Sequence, residues 1–224
     1  MTDIPKVCVC LPSGDMVHKG FAVSLALVLQ STGQIPLGDG THLPVVPTGI
    51  ADVRGSLIAR NRNQCIDEAT KAGFDYVLFL DSDMMFPPQT LRRLLSHEKD
   101  IVGATYVQRD PPHALMGVFN PGMALTGDRL HEVVALPGGC LLIKLSVFDT
   151  MTKPYFRTPA YEAHGTIPEH IQGEDFYFCE QASKAGHSIW LDVGLSVQLG
   201  HIGTHIARIQ TEPAEADHGK ISLH

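Results

Sequence analysis

The stretch YVLFLDSDMMF, residues 76–86, carries the clearest structural signal in the chain. Its first five residues are apolar or aromatic, and the run ends abruptly at Asp81-Ser82-Asp83. An apolar run of this length predicts a buried central strand of an α/β sheet. Ligands of such sheets bind at the carboxyl ends of strands, where Asp81 and Asp83 suit a hard divalent cation. Alternatively, Asp81 and Ser82 only open a turn and cap the helix after Pro87-Pro88.

Composition predicts one substantial domain. The chain has 224 residues, 44% of them hydrophobic, and a chain of this size buries about 70% of its unfolded surface. Lys and Arg number 17 against 24 Asp and Glu, a formal charge of -7, so net charge favours no polyanionic partner. A local basic groove is compatible with this balance.

Cysteine usage and the absence of a long apolar run point to a reducing compartment. The five cysteines are odd in number and lack CxxC spacing, which favours neither a disulfide framework nor a structural zinc site. The start MTDIPKVCVC is unlike a secretory signal, and no 18 uncharged apolar residues run together. We therefore expect a cytoplasmic protein with no membrane partner.

Strand-like and helix-like segments alternate, which predicts an α/β fold with a mostly parallel sheet. Strands are expected at residues 6–11, 43–46, 76–80, 100–106, 141–148 and 187–193, and a hairpin or two crossing strands at 116–120 and 130–136. Helices are expected at 18–30, 51–72, 89–96 and 174–185. Residues 153–173 read as a long loop, and we expect the domain to span 1–207, with a polar tail at 208–224.

Two turns and one helix supply candidate binding residues. Pro12-Ser13-Gly14-Asp15 forces a turn after the first strand, and this turn leaves backbone N–H groups for a ligand. Gly138-Gly139 beside a strand implies close approach of a substrate or another strand. Arg60 and Arg62 lie two apart on a helix, so at least one is free to face the strand ends. Either could instead be an ordinary solvated charge.

Three acidic or imidazole side chains lie at other element ends. Glu174-Asp175 opens a predicted helix, where the helix dipole alone favours acids. His201 lies between two glycines after the last predicted strand, a position that suits either a ligand or a turn residue.

The order and spacing of these segments resemble the GT-A-fold nucleotide-sugar glycosyltransferases, especially the short family-two-like enzymes of bacteria and phages. The likeness covers about residues 5–205. It rests on LPSG, GSLIARNRNQCIDEA, FLDSDMMFPPQTLRRLL, PGGCLLIKLSVF, GEDFYFCEQASKAGHSIWLD and GHIG.

The resemblance implies a single GT-A-like (Rossmann-like) domain and a role for each matched residue. Asp83 would bind Mn²⁺ or Mg²⁺, Asp81 would contact metal or ribose, and His201 would be a third metal ligand. The resemblance implies a general base at Asp175, and the neighbouring Glu174 is a second candidate catalytic residue. The nucleoside-diphosphate sugar would be held by a further set of residues: Pro12, Ser13, Arg62, Asp81 and Gly139.

These residue types fit sugar transfer. A divalent ion stabilises the charge of a departing diphosphate, and a carboxylate base contributes on the order of 10² to 10⁴ in rate. The acceptor could be a glycan, a small molecule, a protein or a hydroxymethylated base of phage DNA, in the host cytoplasm if a phage encodes the enzyme. One alternative is a nucleotidyltransferase, for which LPSGD is a poor signature. Another is a catalytically inactive nucleotide-sugar-binding module.

Overall fold

Seven strands form the central sheet of the computed structural model, which describes residues 4–14, 16–33, 35–36, 42–123, 126–163 and 169–210. Together with the short strands outside this sheet, the strands of the described residues are β1 (Val7–Ser13), β2 (Ile35–Pro36), β3 (His42–Leu43), β4 (Thr48–Arg54), β5 (Tyr76–Leu80), β6 (Met84–Met85), β7 (Ile101–Gly103), β8 (Leu130–Val133), β9 (Cys140–Lys144), β10 (Ala160–Tyr161), β11 (His170–Ile171), β12 (Ile189–Asp192), β13 (Gly200–Ile202) and β14 (Ile206–Ala207). The helices are α1 (Lys19–Gln30), α2 (Ile58–Lys71), α3 (Thr90–Ser96), α4 (Glu174–Lys184) and α5 (Val193–Ser196), with a 3₁₀ helix at Leu145–Thr150.

The sheet has the order β4-β1-β5-β9-β7-β12-β8. Strands β4, β1, β5, β7 and β12 run in one direction, and β9 and β8 run in the other. The chain is therefore a single α/β domain with a mostly parallel, Rossmann-like sheet, which confirms the predicted fold class.

Strand β5 is an interior strand of the sheet, between β1 and β9, and its side chains alternate between two apolar layers. Val77 and Phe79 pack in the layer that contains residues of α2 and α4. Leu78 and Leu80 pack in the layer that contains residues of α1 and α3. Because helices cover both faces, this strand is apolar at every position.

The helix predicted for residues 51–72 begins only at Ile58, so its first part was wrong. Ala51 and Val53 are buried while Asp52 and Arg54 are exposed, an alternation typical of a strand. These residues belong to β4, which pairs in parallel with β1 along its whole length. The strand predicted at 43–46 contributes only Leu43, to the short β3.

Three other predicted strands differ from the structure. The strand at 141–148 ends at Lys144 because a 3₁₀ helix follows, and the strand at 100–106 is confined to β7. Residues 130–133 form the edge strand β8 against β12. The 116–120 segment meets this region through an isolated bridge between Val118 and Ala135, and Asn120 Nδ2 donates to the carbonyl oxygen of Glu132 at 2.9 Å.

The predicted long loop and tail are described only in part. The loop at 153–173 contains the short antiparallel pair β10–β11, and residues 164–168 lie outside the described part of the chain. Of the predicted tail, residues 211–224 also lie outside it.

Asp192, the last residue of β12, is a fully buried carboxylate. It accepts hydrogen bonds from Arg93 Nη2 at 2.7 Å, His97 Nε2 at 2.7 Å and the backbone N–H of Leu195 at 2.8 Å. Burial alone would raise the pKa of Asp192, but these donors outweigh burial and lower the pKa below its ordinary value.

Asp192→Asn is expected to lower the free energy of unfolding at neutral pH by about 1.5–3 kcal/mol, because hydrogen bonds to a charged group are lost. Because the pKa of Asp192 is lower in the folded state, the carboxylate adds stability at pH values above its unfolded-state pKa of about 3.9. This stability is lost as the pH falls through the folded-state pKa. The deficit of the variant should therefore shrink in acid. Urea unfolding checks this. Exposed Asp149→Asn is the control, expected within about 0.5 kcal/mol of wild type, and an equally stable Asp192 variant would contradict the prediction.

Candidate active site

The candidate site lies where the carboxyl end of β5 meets the start of β9. Because β9 runs antiparallel to β5, Cys140 is in register with Leu80. The segment before β9 therefore lies beside the residues that follow β5. The backbone N–H of Asp81 donates to the carbonyl oxygen of Gly139 over 3.1 Å. The two motifs that the sequence analysis singled out separately are thus neighbours.

Arg62 of α2 is buried at the centre of this site, with 1% of its surface exposed. Its Nη2 donates to both carboxylate oxygens of Asp81, at 2.9 and 3.1 Å. Its Nε donates to Glu174 Oε1 at 3.1 Å, and its Nη1 donates to the carbonyl oxygen of Gly138 at 3.2 Å. One guanidinium therefore joins the end of β5, the turn before β9 and the start of α4.

The surroundings of Arg62 fix its plane and its charge. Its guanidinium carbon lies 5.2 Å from the ring centre of Phe79 and 5.9 Å from that of Phe156. Burial alone would lower the pKa of Arg62, but the charges of Asp81 and Glu174 outweigh it, and the pKa lies above its ordinary value. Of the two arginines considered in the sequence, Arg62 is the one that faces the strand ends. Here it orients carboxylates, and direct contact with a nucleotide stays a prediction.

Asp175, in the first turn of α4, lies on the other side of the same turn. Its Oδ2 accepts a hydrogen bond from the backbone N–H of Gly138 at 3.0 Å, and its Oδ1 accepts one from the N–H of Phe176 at 2.8 Å. Burial, assisted by the charge of Glu174, raises the pKa of Asp175. Burial also raises the pKa of Asp81 although Arg62 opposes this. Carboxylates from distant parts of the chain thus share one partly buried region.

The glycines of the Pro137-Gly138-Gly139 turn allow two side chains to approach the backbone. A Cβ at Gly138 would lie 2.6 Å from Arg62 Nη2, and one at Gly139 would lie 2.4 Å from the hydroxyl oxygen of Tyr106. Both distances are too short for nonbonded atoms. The glycine pair predicts close approach by a substrate or another strand, and in the structure the approaching groups are the side chains of Arg62 and Tyr106.

Asp83 and His201 form a second cluster next to the first. His201 Nδ1 lies 2.9 Å from the carbonyl oxygen of Val107, an acceptor that requires a proton on Nδ1. His201 Nε2 therefore faces Asp83 Oδ2, at 3.4 Å. Arg109 Nη1 donates to the same Asp83 oxygen at 3.1 Å.

Both members of this pair have shifted pKa values. Burial opposes ionisation of Asp83, but the hydrogen bond from His201 and the charge of Arg109 hold its pKa below the ordinary range. Burial likewise opposes protonation of His201, but Asp83 and the carbonyl of Val107 outweigh it and raise its pKa.

The carboxylate of Asp83 and the imidazole of His201 fit a divalent cation that takes only these two ligands from the protein. In neutral His201 the Nδ1–H donates to the carbonyl oxygen of Val107, and the lone pair of Nε2 faces Asp83. A histidine that binds a metal through one ring nitrogen usually donates its other N–H to such an acceptor. Asp81 instead faces Arg62, and the described residues contain no group of three or more His, Cys, Asp or Glu side chains that could hold an ion. Mg²⁺ commonly uses one or two carboxylates plus substrate phosphates and water.

Pro12 and Ser13 lie at the end of β1 and are both buried. The predicted turn begins later than expected, since β1 continues to Ser13 through its pairing with β4. Its pairing with β5, by contrast, stops at Cys10. Asp15 lies outside the described residues.

Tyr106 and Arg109 belong to the site although the sequence alone does not point to them. Tyr106 is buried, and its hydroxyl oxygen accepts a hydrogen bond from the N–H of Gly139 at 3.1 Å. Its ring packs edge to face on the ring of His201, with 5.1 Å between the ring centres. Tyr106 ends the predicted strand 100–106 and Arg109 follows shortly after, so both occupy the kind of strand-end position at which the other candidates were found. The residues that they contact are distant in sequence, so no local sequence pattern predicts that Tyr106 and Arg109 belong to the site.

Comparisons with known proteins identify a fold and no family. No protein-family model and no curated protein matches the chain. Among solved structures, the crystal structure of A197 from STIV is similar with a TM-score of 0.56 and 16% sequence identity, over 96% of this chain and 100% of that chain. At this identity the likeness concerns the fold alone. In the described part of the chain, no helix has the length and apolar character needed to cross a membrane.

Proposed function

We propose that the protein is a metal-dependent glycosyltransferase that moves a sugar from a nucleoside-diphosphate sugar to an acceptor hydroxyl. One observation carries the proposal: the Arg62 network gathers Asp81, Glu174 and the Asp175 turn beside the Asp83–His201 pair, at the carboxyl edge of the sheet. Ligands of open α/β sheets bind at this edge.

Asp175 is the base in this proposal. An acceptor hydroxyl must lose its proton as it attacks the sugar carbon, and a half-buried carboxylate with a raised pKa is a stronger base than an exposed one. Asp175 is held in place by two backbone N–H groups. It therefore meets the acceptor in a fixed orientation.

Asp83 and His201 would hold Mn²⁺ or Mg²⁺, which when bound stabilises negative charge on the leaving diphosphate. The chain's own residues fix this pair from behind: the carbonyl oxygen of Val107 holds the ring of His201, and the N–H of Ile202 donates to the carbonyl oxygen of Asp83 at 2.7 Å. Arg62 keeps Asp81 and Glu174 in position. Tyr106 supports both clusters, since it contacts His201 and Gly139.

The test incubates the protein with a panel of nucleotide sugars, Mn²⁺ or Mg²⁺ and candidate acceptors. Release of nucleoside diphosphate is measured, and the acceptors are then analysed by mass for an added sugar. We expect release from at least one donor, and we expect excess EDTA to stop it, because the diphosphate then has no counter-ion at Asp83 and His201. Undiminished release in EDTA would contradict the metal assignment. Donor binding without release or transfer would instead identify an inactive nucleotide-sugar-binding module.

A further inference from the structure

A cavity of about 620 Å³ lies between the first turns of α2 and residues 153–158. Apolar atoms of Leu57, Ile58, Pro154 and Phe156 contribute to its wall. Its volume falls within the range of about 300–1,000 Å³ usual for small-molecule sites. None of the four carboxylates of the proposed active site lines it, so it is a separate space.

The wall of this cavity is fixed by hydrogen bonds. The side-chain amide of Asn63 donates to the carbonyl oxygens of Ala59, at 2.7 Å, and of Phe156, at 2.9 Å. Asn63 Oδ1 accepts from the N–H groups of Tyr155, at 2.9 Å, and Phe156, at 3.3 Å. The ring of Phe156 also stacks on Phe178 with 4.8 Å between ring centres. The segment is therefore anchored to α2, and the cavity is built into the fold.

The rim of the cavity is cationic although the chain is acidic overall. Arg60, Lys153 and Arg157 line it against one acid, Asp67, which gives a rim charge of +2 in a chain of formal charge -7. Lys153 pairs with Asp67. In the part of the chain that the structure describes, Arg60 and Arg157 have no carboxylate partner. The guanidinium carbon of Arg157 lies 5.8 Å from the ring centre of Tyr177, and a stacked guanidinium keeps its N–H donors. Both exposed guanidinium groups can therefore still donate to an anion.

We propose that this cavity is a second ligand site, for a small molecule that combines a flat apolar body with a phosphate or carboxylate group. The apolar wall takes the body, and Arg60 and Arg157 take the anion, since guanidinium groups bind phosphate and carboxylate through paired N–H donors. The site adjoins the carboxylates through Phe156, whose ring lies 5.9 Å from the Arg62 guanidinium carbon. The proposal stands independently of the proposed glycosyltransferase activity.

The experiment uses phenyl phosphate as the probe, titrated into the full chain without metal or nucleotide sugar and followed by backbone amide NMR. We expect a dissociation constant on the order of 1 mM or tighter and shifts concentrated at residues 56–63 and 153–158. Inorganic phosphate and phenol, which each lack one half of the probe, should bind at least about tenfold more weakly. A tenfold change corresponds to about 1.4 kcal/mol, within the range for one apolar or charge-assisted contact.

Matched variants distinguish binding at this cavity from nonspecific attraction of the anion to positive charge. Arg60→Gln with Arg157→Gln should weaken phenyl phosphate binding at least about tenfold, and both positions are exposed, so the fold should be unaffected. Arg129→Gln is the control, because Arg129 is exposed and adjoins β8 at the opposite edge of the sheet from β4. Unchanged affinity in the double variant, equal binding of inorganic phosphate, or shifts located elsewhere would each overturn the proposal.

Discussion

Arg62→Met is expected to lower the free energy of unfolding by about 3–5 kcal/mol, because it removes one side of a buried ionic network and leaves the other side charged. Arg62 is 1% exposed and supplies donors to Asp81, Glu174 and the carbonyl oxygen of Gly138. Methionine fills a comparable length beside Phe79 but donates nothing. Most of the loss therefore comes from two carboxylates without a partner.

Urea denaturation of the variant measures this loss of stability. Two further variants, one a control and one a compensating variant, show whether the loss comes from the network. Arg60→Met changes an exposed arginine on the same helix and should stay within about 0.5 kcal/mol of wild type. Adding Asp81→Asn and Glu174→Gln to Arg62→Met should restore part of the lost stability, since neutral amides are less costly to bury than unpaired charges. An Arg62 variant as stable as the Arg60 variant would show that the network contributes nothing.

Local periodicity was enough to predict most of the sheet and helices. Strand β5 follows from an unbroken apolar run. Helix α1 follows from the length and composition of its segment, helix α4 from the acids that open it, and Gly33 and Gly186 mark where they stop. Residues 51–54 were assigned to the wrong element because only two buried positions, Ala51 and Val53, carry the alternation of β4. Four residues of period two cannot outweigh the longer helical pattern that follows them.

The candidate site was predicted one element at a time, and its connections were not. Each motif lies at a strand or helix end, which sequence patterns locate, so Asp81, Asp83 and Asp175 could be named. That Asp81 faces Arg62 while Asp83 faces His201 depends on contacts across 19 and 118 positions of the chain. Such pairings depend on sheet register, which a single sequence does not specify.

Asp175→Asn is expected to lower turnover at least about a hundredfold, the lower end of general-base effects, while donor affinity stays near wild type. The amide has one acceptor oxygen, so it can serve only one of the two N–H groups, of Gly138 and Phe176, that the carboxylate serves. The lost hydrogen bond should cost about 1 kcal/mol in stability. A purely structural role for Asp175 predicts that same small cost with turnover almost unchanged.

The pH dependence of turnover separates these two roles of Asp175 further. A base must be ionised to act, and burial raises the pKa of Asp175, so the acid limb of the wild-type profile should lie above the ordinary aspartate value of about 3.9. The profile is measured with metal at saturation, so that protonation of His201 adds no acid limb of its own. In the Asn variant the residual rate should then lose this limb, because no carboxylate at position 175 titrates. Asp149→Asn, an exposed change of the same chemistry, should keep both the wild-type rate and the limb. Wild-type turnover in the Asp175 variant at saturating substrates would remove Asp175 from the mechanism, since a base that can be neutralised without loss is not the base.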